Sequence, residues 1–365
     1  MKTLFVDNDN FCRFTAGEAA VLRLMIDAVG GGQTPEFYGE TMETAVGQGA
    51  SVTHVCDISL RMARDLFGKQ TLPPVAVGGG GVLQGCRDAV MHYRLFRLLE
   101  LPDVGVVPRL LDEGEMLRGS CRGDVYAMGG TDFEDALGRN MLEDSGLYVL
   151  GEDWRSGVLE CVRMGEPRMV YLYNKCAGGE ACDIGLTVWD EESDEEVWNG
   201  CFSIGGGVSR LTVTPRGLGL TAGRSYGVRI DTATDGTLLQ RRWLAGYDLH
   251  GQTVVAVADR YGLLRGMAME EVSKEAVSEG DGIRRRGRFG YDVKGRYELV
   301  TLRTAMLRRD EAERLEWAGC CGGCWVLDRR WGVWREGALV PGSMTVWDEA
   351  EDMVRMEVQV RWAEE

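Results

Sequence analysis

The sequence has few histidines and few prolines. Three histidines occur, at positions 54, 92 and 250, and none lies beside a serine, cysteine or aspartate in a recognisable nucleophile motif. The motifs of histidine-assisted nucleophilic catalysis are therefore missing. Only 8 prolines accompany 51 glycines in 365 residues, which indicates many tight turns rather than a collagen-like or disordered chain.

The chain also lacks a long apolar run and an excess of positive charge. No run approaches the roughly 18 apolar residues of a membrane helix, and the N-terminus has no apolar signal segment, so we expect no membrane span and synthesis in the cytoplasm. An odd count of 11 cysteines fits a reducing compartment with mostly buried thiols. The formal net charge of −16 argues against binding nucleic acid, because duplex affinity comes mainly from lysine and arginine on phosphates.

Complete ligand motifs are absent as well. Residues 78–81 are four glycines, but no Gly-Lys-Ser/Thr follows them, so we interpret them as a turn rather than a phosphate loop. The segment 320–324 holds one C-x-x-C pair without a second, which favours free thiols at Cys320, Cys321 and Cys324 over zinc. The acidic run 190–196 lacks the order of a calcium loop and predicts a solvated turn. We expect no metal, no cofactor and no catalytic residue.

The strongest pattern in the chain lies near its C-terminal end. Between Val354 and Trp362, apolar and polar residues alternate strictly, as in a strand with one buried and one wet face. Met344 to Trp347 reads as a second strand, joined to the first by an acidic turn in an antiparallel hairpin. Residues 311–317 favour a short helix.

The middle of the chain, from about Leu159, has the texture of an all-β domain. Short strand candidates alternate with polar or glycine-rich turns, as in a β-sandwich of roughly 100 residues. These candidates are 168–173, 184–189, 197–202, 210–213 and 226–230.

The first part of the chain is less decisive. Residues 57–67 predict a short helix, with Ile58, Met62 and Leu66 on one face. Residues 92–97 predict a strand, with Tyr93 and Leu95 on one face. Residues 16–29 allow either a helix, because Thr15 and Glu18 form a capping box, or a strand.

These patterns together predict a mainly β, multi-domain protein of β-sandwich-like domains with a few short helices. A chain of 365 residues suggests two or three domains. We place an N-terminal β-rich domain at 1–155, a β-sandwich-like domain at 156–250 and a C-terminal β or α+β domain at 251–365.

One concentrated basic patch stands out in this acidic chain. It comprises Arg284, Arg285, Arg286 and Arg288, with aromatic residues beside them. Nucleic-acid binding is one interpretation. We favour the other, in which the four arginines form an assembly interface with acidic residues of a neighbouring copy, such as its run 190–196. Such a heterologous contact closes into rings or continues as stacks.

The order of features from Val254 to Trp362 resembles a known kind of domain. Those features are Val257-Ala258-Asp259-Arg260-Tyr261-Gly262, Tyr297-Glu298-Leu299, Glu311-Ala312-Glu313, Leu339-Val340-Pro341-Gly342-Ser343 and the closing alternating strand. They resemble the structural, tail- or baseplate-type β-domain proteins of Bacteroidales phages and prophage-like tail clusters. The resemblance implies a non-enzymatic component of a virion or tail-like particle, whose partners are copies of itself and other tail proteins.

Two other functions stay open. A carbohydrate-binding or adhesive β protein would use exposed tryptophan and tyrosine to hold a host-surface glycan. A carboxylate-based glycosidase is a third reading, because paired Asp or Glu residues leave no spacing signature in a sequence.

Overall fold

A computed structural model describes most of the chain, and about three-quarters of the described residues are in β-strands. It describes residues 2–5, 11–16, 21–27, 37–43, 52–57, 73–75, 77–86, 89–101, 105–117, 146–150, 159–175, 180–232, 236–258, 263–285, 288–309, 312, 323–328, 332–340, 342–350 and 353–363. For residues 2–57 and 278–296 it describes the backbone alone. Within these ranges, helical backbone is confined to residues 89, 309 and 312. The predicted mainly β fold is confirmed.

The two predicted helices fall largely outside these ranges. Ala312 is helical and buried, but the other residues of the 311–317 prediction lie outside the described residues. The same holds for 58–67, while Asp57 ends a strand.

The N-terminal strands form a five-stranded sheet and a separate pair. The sheet has the order β1-β8-β7-β3-β4, with β1 parallel to β8, and β2 pairs with β5. The ambiguous segment 21–26 is a strand, because pairing with a neighbour on each side satisfies its backbone and overrides the capping box. The strands are β1 Lys2–Phe5, β2 Phe11–Ala16, β3 Val21–Asp27, β4 Phe37–Glu43, β5 Val52–Asp57, β6 Gly81–Gly85, β7 Val90–Leu101 and β8 Gly105–Leu117.

The middle of the chain is a β-sandwich, as predicted. Its sheets have the orders β10-β16-β15-β12-β13 and β6-β14-β11-β9, and their inner faces share one apolar core that includes Leu172, Val188 and Leu211. All five predicted strands lie within observed ones, and β6, far upstream in the sequence, completes the second sheet. The strands are β9 Leu147–Leu150, β10 Leu159–Arg163, β11 Arg168–Asn174, β12 Cys182–Asp190, β13 Glu196–Ile204, β14 Gly207–Val213, β15 Ser225–Thr232 and β16 Gly236–Gly246.

The C-terminal part is a closed six-stranded antiparallel barrel. The ring runs β17-β18-β19-β24-β22-β21 and back to β17, and β20 and β23 pair with β24 outside the ring. The predicted alternation is confirmed, since Val354, Met356, Val358 and Val360 are buried in the barrel core. The strands are β17 Gln252–Ala258, β18 Leu264–Arg285, β19 Arg288–Thr304, β20 Leu307–Arg308, β21 Gly323–Asp328, β22 Val333–Leu339, β23 Thr345–Ala350 and β24 Met353–Ala363.

The sandwich and the barrel meet at a packed junction. A buried cluster contains Tyr171 and Val208 of the sandwich and Ala256 and Leu264 of the barrel. The Leu264 amide donates to the Tyr171 hydroxyl at 2.9 Å, so the two parts share a buried hydrogen bond as well as apolar area. These contacts do not decide where domains begin and end, so the division at 1–155, 156–250 and 251–365 stays a prediction.

Candidate functional site

The hairpin of β18 and β19 is longer than the barrel to which it belongs. β18 pairs with β17 only over residues 264–270, and β19 pairs with β24 only over 297–303. The outer residues 278–285 and 288–296, here called the arm, pair with each other and with no other described strand. Eight residues at roughly 3.4 Å each give the arm a length of about 27 Å.

The predicted interface arginines lie at the tip of this arm. Arg285 opposite Arg288 is the last backbone pair of the hairpin, and Arg284 is opposite Phe289. Arg286 lies outside the described residues. The sequence showed the charge but not the hairpin, because Arg-Gly, the dipeptide between the two strands, is not one of the usual two-residue hairpin turns.

The register of the arm places three apolar residues of β19 on one of its two faces. Positions 289, 291 and 293 alternate onto one face, where they are occupied by Phe, Tyr and Val. Gly282 and Gly280 stand opposite Tyr291 and Val293. Register shifts at 271/273 and 279/280 interrupt the ladder near the base of the arm, where bulges bend a strand and increase its twist.

The acidic run 190–196 is only partly the solvated turn that was predicted. Asp190 is buried, and its carboxylate accepts from the amides of Glu192 at 2.9 Å and Ser193 at 3.2 Å. The hydrogen bond from Arg224 at 2.9 Å holds the pKa of Asp190 below its usual value. Asp190 therefore caps the turn from inside, which its position in an acidic run did not reveal.

The remaining acidic residues divide between an internal pair and an exposed tip. Glu191 accepts two hydrogen bonds from Arg242, at 2.5 Å and 2.8 Å, in a bidentate pair. Glu192, Asp194 and Glu195 are exposed at the tip of the turn.

The strand that follows this turn is an open sheet edge. Within the described part of the chain, β13 pairs only with β12. It runs for nine residues, and Val197 is 44% exposed. It contains neither proline nor lysine, which protein edges commonly use to prevent pairing with another chain.

A second feature is a cleft between the sandwich and the barrel, with a volume of about 580 Å³. One wall comes from β10 and β11 with the turn between them, and the other comes from β18, β20 and β24. Its charged lining residues are Glu160, Arg163, Glu166, Arg168, Arg265, Glu270, Arg308 and Arg355.

The sandwich wall of the cleft is an ion-pair network. Arg168 Nη2 lies 3.4 Å from Glu160 Oε2 and 3.7 Å from Glu166 Oε1. Arg241 Nε lies 3.7 Å from Glu160 Oε1. Burial raises the pKa of the Glu166 carboxyl, although Arg168 beside it acts in the opposite direction. Glu166 also accepts from the Ala268 amide of β18, so it links the two parts of the molecule across the cleft floor.

The cysteine and histidine predictions receive only partial tests. Of the described cysteines, Cys86 and Cys324 are buried, Cys182 is half-buried, and Cys161 and Cys201 are exposed, so the expectation of mostly buried thiols is not confirmed. In the barrel core, burial raises the pKa of the Cys324 thiol to about 12. Cys320 and Cys321 lie outside the described residues, so unliganded thiols there stay a prediction.

His92 lies 3.9 Å from Glu115, and His250 is exposed. Among the described residues, no group of three or more His, Cys, Asp or Glu could hold a metal ion, and no helix could span a membrane.

The glycine run behaves as the predicted turn. Gly80 has a φ of 69° and donates its amide to the carbonyl of Gly217 at 2.7 Å, and Gly81 then begins β6. A left-handed residue followed by a strand fits a turn rather than the start of a phosphate-binding helix.

No model of a known protein family matches this sequence, and no curated protein is significantly similar to it.

Proposed function

We propose that this chain is a non-enzymatic structural subunit of a phage tail, baseplate or related tail-like particle, made in the cytoplasm and assembled through protein–protein contacts. The arm is the observation that carries the proposal. A pair of strands that extends beyond its barrel is better suited to contact with another protein than to catalysis. The resemblance of residues 254–362 to tail-type β domains supports the same class.

The physical argument begins with the stability of the arm. An isolated two-stranded hairpin is at best marginally stable in water, since neither strand has a second neighbour. Each strand of the arm also keeps one row of backbone groups without a described strand partner. A third strand supplied by another molecule would satisfy one of these rows, which is the mechanism of β-augmentation.

The best acceptor on the chain itself is the open edge of β13. Its nine residues match the eight to nine residues of each arm strand. The acidic tip with Glu192, Asp194 and Glu195 adjoins this edge, and the arm ends in arginines, so the charges are complementary. We therefore propose that the arm of one copy adds to β13 of the next, with its arginines at the acidic turn.

This contact is heterologous, because the arm and the edge are different surfaces of one chain. Repeated from copy to copy, it closes into a ring or continues as a stack. Both outcomes suit a component of a tail or baseplate.

The test is reversal of the tip charges in the full chain. We expect Arg284→Glu with Arg285→Glu and Arg288→Glu to reduce the assembled fraction in sedimentation velocity, and most strongly at low salt, where screening is weakest. Adding Glu192→Arg and Glu195→Arg to the same chain should restore assembly, since both charges are then exchanged. Arg109→Glu, at an exposed position on β8, is the matched control.

The results against the proposal are specific. If the parent and the triple variant assemble equally well across a salt series, the arginines do not take part in the contact. If Glu192→Arg and Glu195→Arg do not restore assembly of the triple variant, the acidic turn is not the surface that accepts the arm. Separately, a gene neighbourhood of polysaccharide-utilisation genes, rather than tail tube, sheath or tape-measure genes, would argue against the particle.

A further inference from the structure

The five-stranded sheet of the sandwich has a second face, which points away from the core. Ile184 and Val188 of β12 and Val228 of β15 belong to the apolar core. Because side chains alternate along a strand, the residues between them lie on the opposite side of the sheet, here called the outer face. Its exposed or half-buried side chains include Thr187, Trp189, Asn199, Ser203, Arg229 and Asp231.

Trp189 is the large aromatic residue of the outer face, and it lies directly over a glycine. It is opposite Gly227 of the neighbouring strand β15. A Cβ built on Gly227 would overlap Cε2 and Cζ2 of the indole ring, so the ring occupies the space that a side chain at 227 would take. Trp189 is half-buried, and its remaining exposure lies on the sides of the ring that point away from the sheet.

The polar groups beside this ring are held in place by one another. Arg229 Cζ is 5.8 Å from the centroid of the Trp189 ring. Arg229 Nε donates to Asp231 Oδ2 at 2.6 Å, and the Thr237 hydroxyl donates to Asp231 Oδ1 at 2.7 Å. Groups that are already ordered lose little conformational entropy when a ligand binds to them.

A row of polar side chains crosses the sheet next to Trp189. Thr187 of β12 is opposite Arg229 of β15 on one side and opposite Asn199 of β13 on the other. The guanidinium donates, whereas the hydroxyl and the amide can each donate and accept. The row therefore offers both kinds of hydrogen-bonding group within reach of a ligand that contacts the indole.

The charges of the outer face are balanced within the protein. Arg229 is paired with Asp231, and Arg242, which is opposite Gly227, makes a bidentate pair with Glu191. A charged ligand would compete with these pairs, so a neutral ligand fits the face better.

The outer face also lacks the composition of a protein interface. Apart from Trp189 and Val197, its residues on β12, β13 and β15 are polar or small. The centre of a protein interface is an apolar patch depleted of charged residues. One aromatic ring bordered by hydrogen-bonding groups is instead the composition of a site for a small polar ligand.

We propose that the outer face binds a neutral oligosaccharide, with one sugar ring on Trp189 and hydroxyls bonded to Thr187, Asn199 and Arg229. A pyranose has C–H bonds on its faces and hydroxyls around its rim, so it matches an aromatic ring with donors and acceptors beside it. The arm adds to the edge of β13, whereas the sugar lies on the face of the sheet. Either proposal can therefore fail without the other.

The test uses the full chain and four neutral probes: cellopentaose, maltopentaose, mannopentaose and chitopentaose. Isothermal titration should detect binding of at least one of them. The affinity should stay constant across a salt series, because no ion pair forms with a neutral sugar. The sugar should also change the tryptophan fluorescence of the parent, and this change should be lost in Trp189→Phe.

Trp189→Ala should weaken the binding by about tenfold, through loss of the aromatic contact. Trp189→Phe keeps an aromatic ring and should retain most of the affinity. Trp347→Ala is the matched control, because Trp347 is 38% exposed and also has an arginine beside it, with Arg303 Cζ 5.5 Å from its ring, but it belongs to the barrel. Circular dichroism on each variant checks that it is folded.

Three results would overturn the proposal: no binding of any of the four pentaoses, parent-like affinity in Trp189→Ala, or an equal loss of affinity in Trp347→Ala. An affinity that falls steeply with salt would contradict a neutral ligand. If no pentaose binds and Trp189→Ala lowers the assembled fraction in sedimentation velocity, the outer face is a contact between copies instead. The triple variant of the arm arginines should bind the sugar as the parent does.

Discussion

At the scale of single residues, Tyr171 holds the sandwich and the barrel together. Its buried hydroxyl accepts from the Leu264 amide at 2.9 Å and from Arg210 Nη1 at 3.3 Å. A sequence cannot predict such a role, because residue 171 was recognisable only as part of a strand and its partner is 93 positions away. The buried Asp190 escaped prediction for the same reason, since its partner Arg224 lies 34 positions away, just before β15.

Tyr171→Phe should lower the free energy of unfolding by about 1–3 kcal/mol, because the Leu264 amide is then buried without its acceptor. Denaturant unfolding at neutral pH measures the loss. A variant as stable as the parent would contradict the role of this hydrogen bond. Tyr226→Phe is a useful comparison, because that hydroxyl accepts from Thr221 within the sandwich alone.

The same residue gives the parent an alkaline dependence. Burial raises the Tyr171 pKa from 10.0 to about 12, with Arg210 acting in the opposite direction. The unfolded state therefore loses this proton first, so its stabilising effect is complete below about pH 10 and declines as the pH rises towards 12. The stability difference between parent and Tyr171→Phe should shrink over that interval, and a constant difference would contradict this cause.

At the scale of elements, the arm is separable from the barrel that carries it. The pairings that close the ring lie within 252–258, 264–277, 297–304, 323–328, 333–339 and 353–363, and none of them uses the arm. The buried barrel residues Val300 and Leu302 lie on the part of β19 that pairs with β24.

Replacing residues 278–296 with a two-residue Asn-Gly turn should leave the barrel folded and abolish assembly. The melting temperature should change by no more than about 3 °C, since an isolated hairpin contributes little stability. Calorimetry and sedimentation velocity together measure the two effects. Unfolding of the shortened chain, or its assembly at the parent level, would each contradict the division between arm and barrel.

Strands were predictable where one face is buried and the other wet. The alternation from Val354 to Trp362 and the sandwich strands follow from this pattern, because pleating places successive side chains on opposite faces. Closure of the barrel and recruitment of β6 into the sandwich were not predictable, since pairing partners distant in sequence leave no local period. The arginine patch was visible, but its position on an arm depends on the length of β18 relative to β17.

At the scale of the whole molecule, the junction depends on close approach of two backbones. A Cβ on Gly266 of β18 would lie 2.5 Å from the carbonyl oxygen of Pro167, which is too close for any side chain without movement of backbone. Gly266 is also one of the residues that line the cleft.

Gly266→Ala should therefore destabilise the protein by about 1–3 kcal/mol, as overpacking does in a tight interior. Gly251→Ala is not a suitable control, since its φ of 62° adds strain of its own. Gly185→Ala is better, because its added Cβ meets nothing within 4 Å, and it should change the free energy of unfolding little. Chemical unfolding measures the loss, and parent-like stability in Gly266→Ala would contradict the close approach.

The position of β24 in the ring also has a consequence for synthesis. β24 separates β19 from β22, so the ring stays open until residues 353–363 have left the ribosome. Until then β19 and β22 each present an unpaired edge, while the sandwich, whose strands all end by Gly246, can already fold. The ribosome-bound chain should therefore pass through a stage with a finished sandwich and an aggregation-prone open sheet, during which binding by a chaperone matters most.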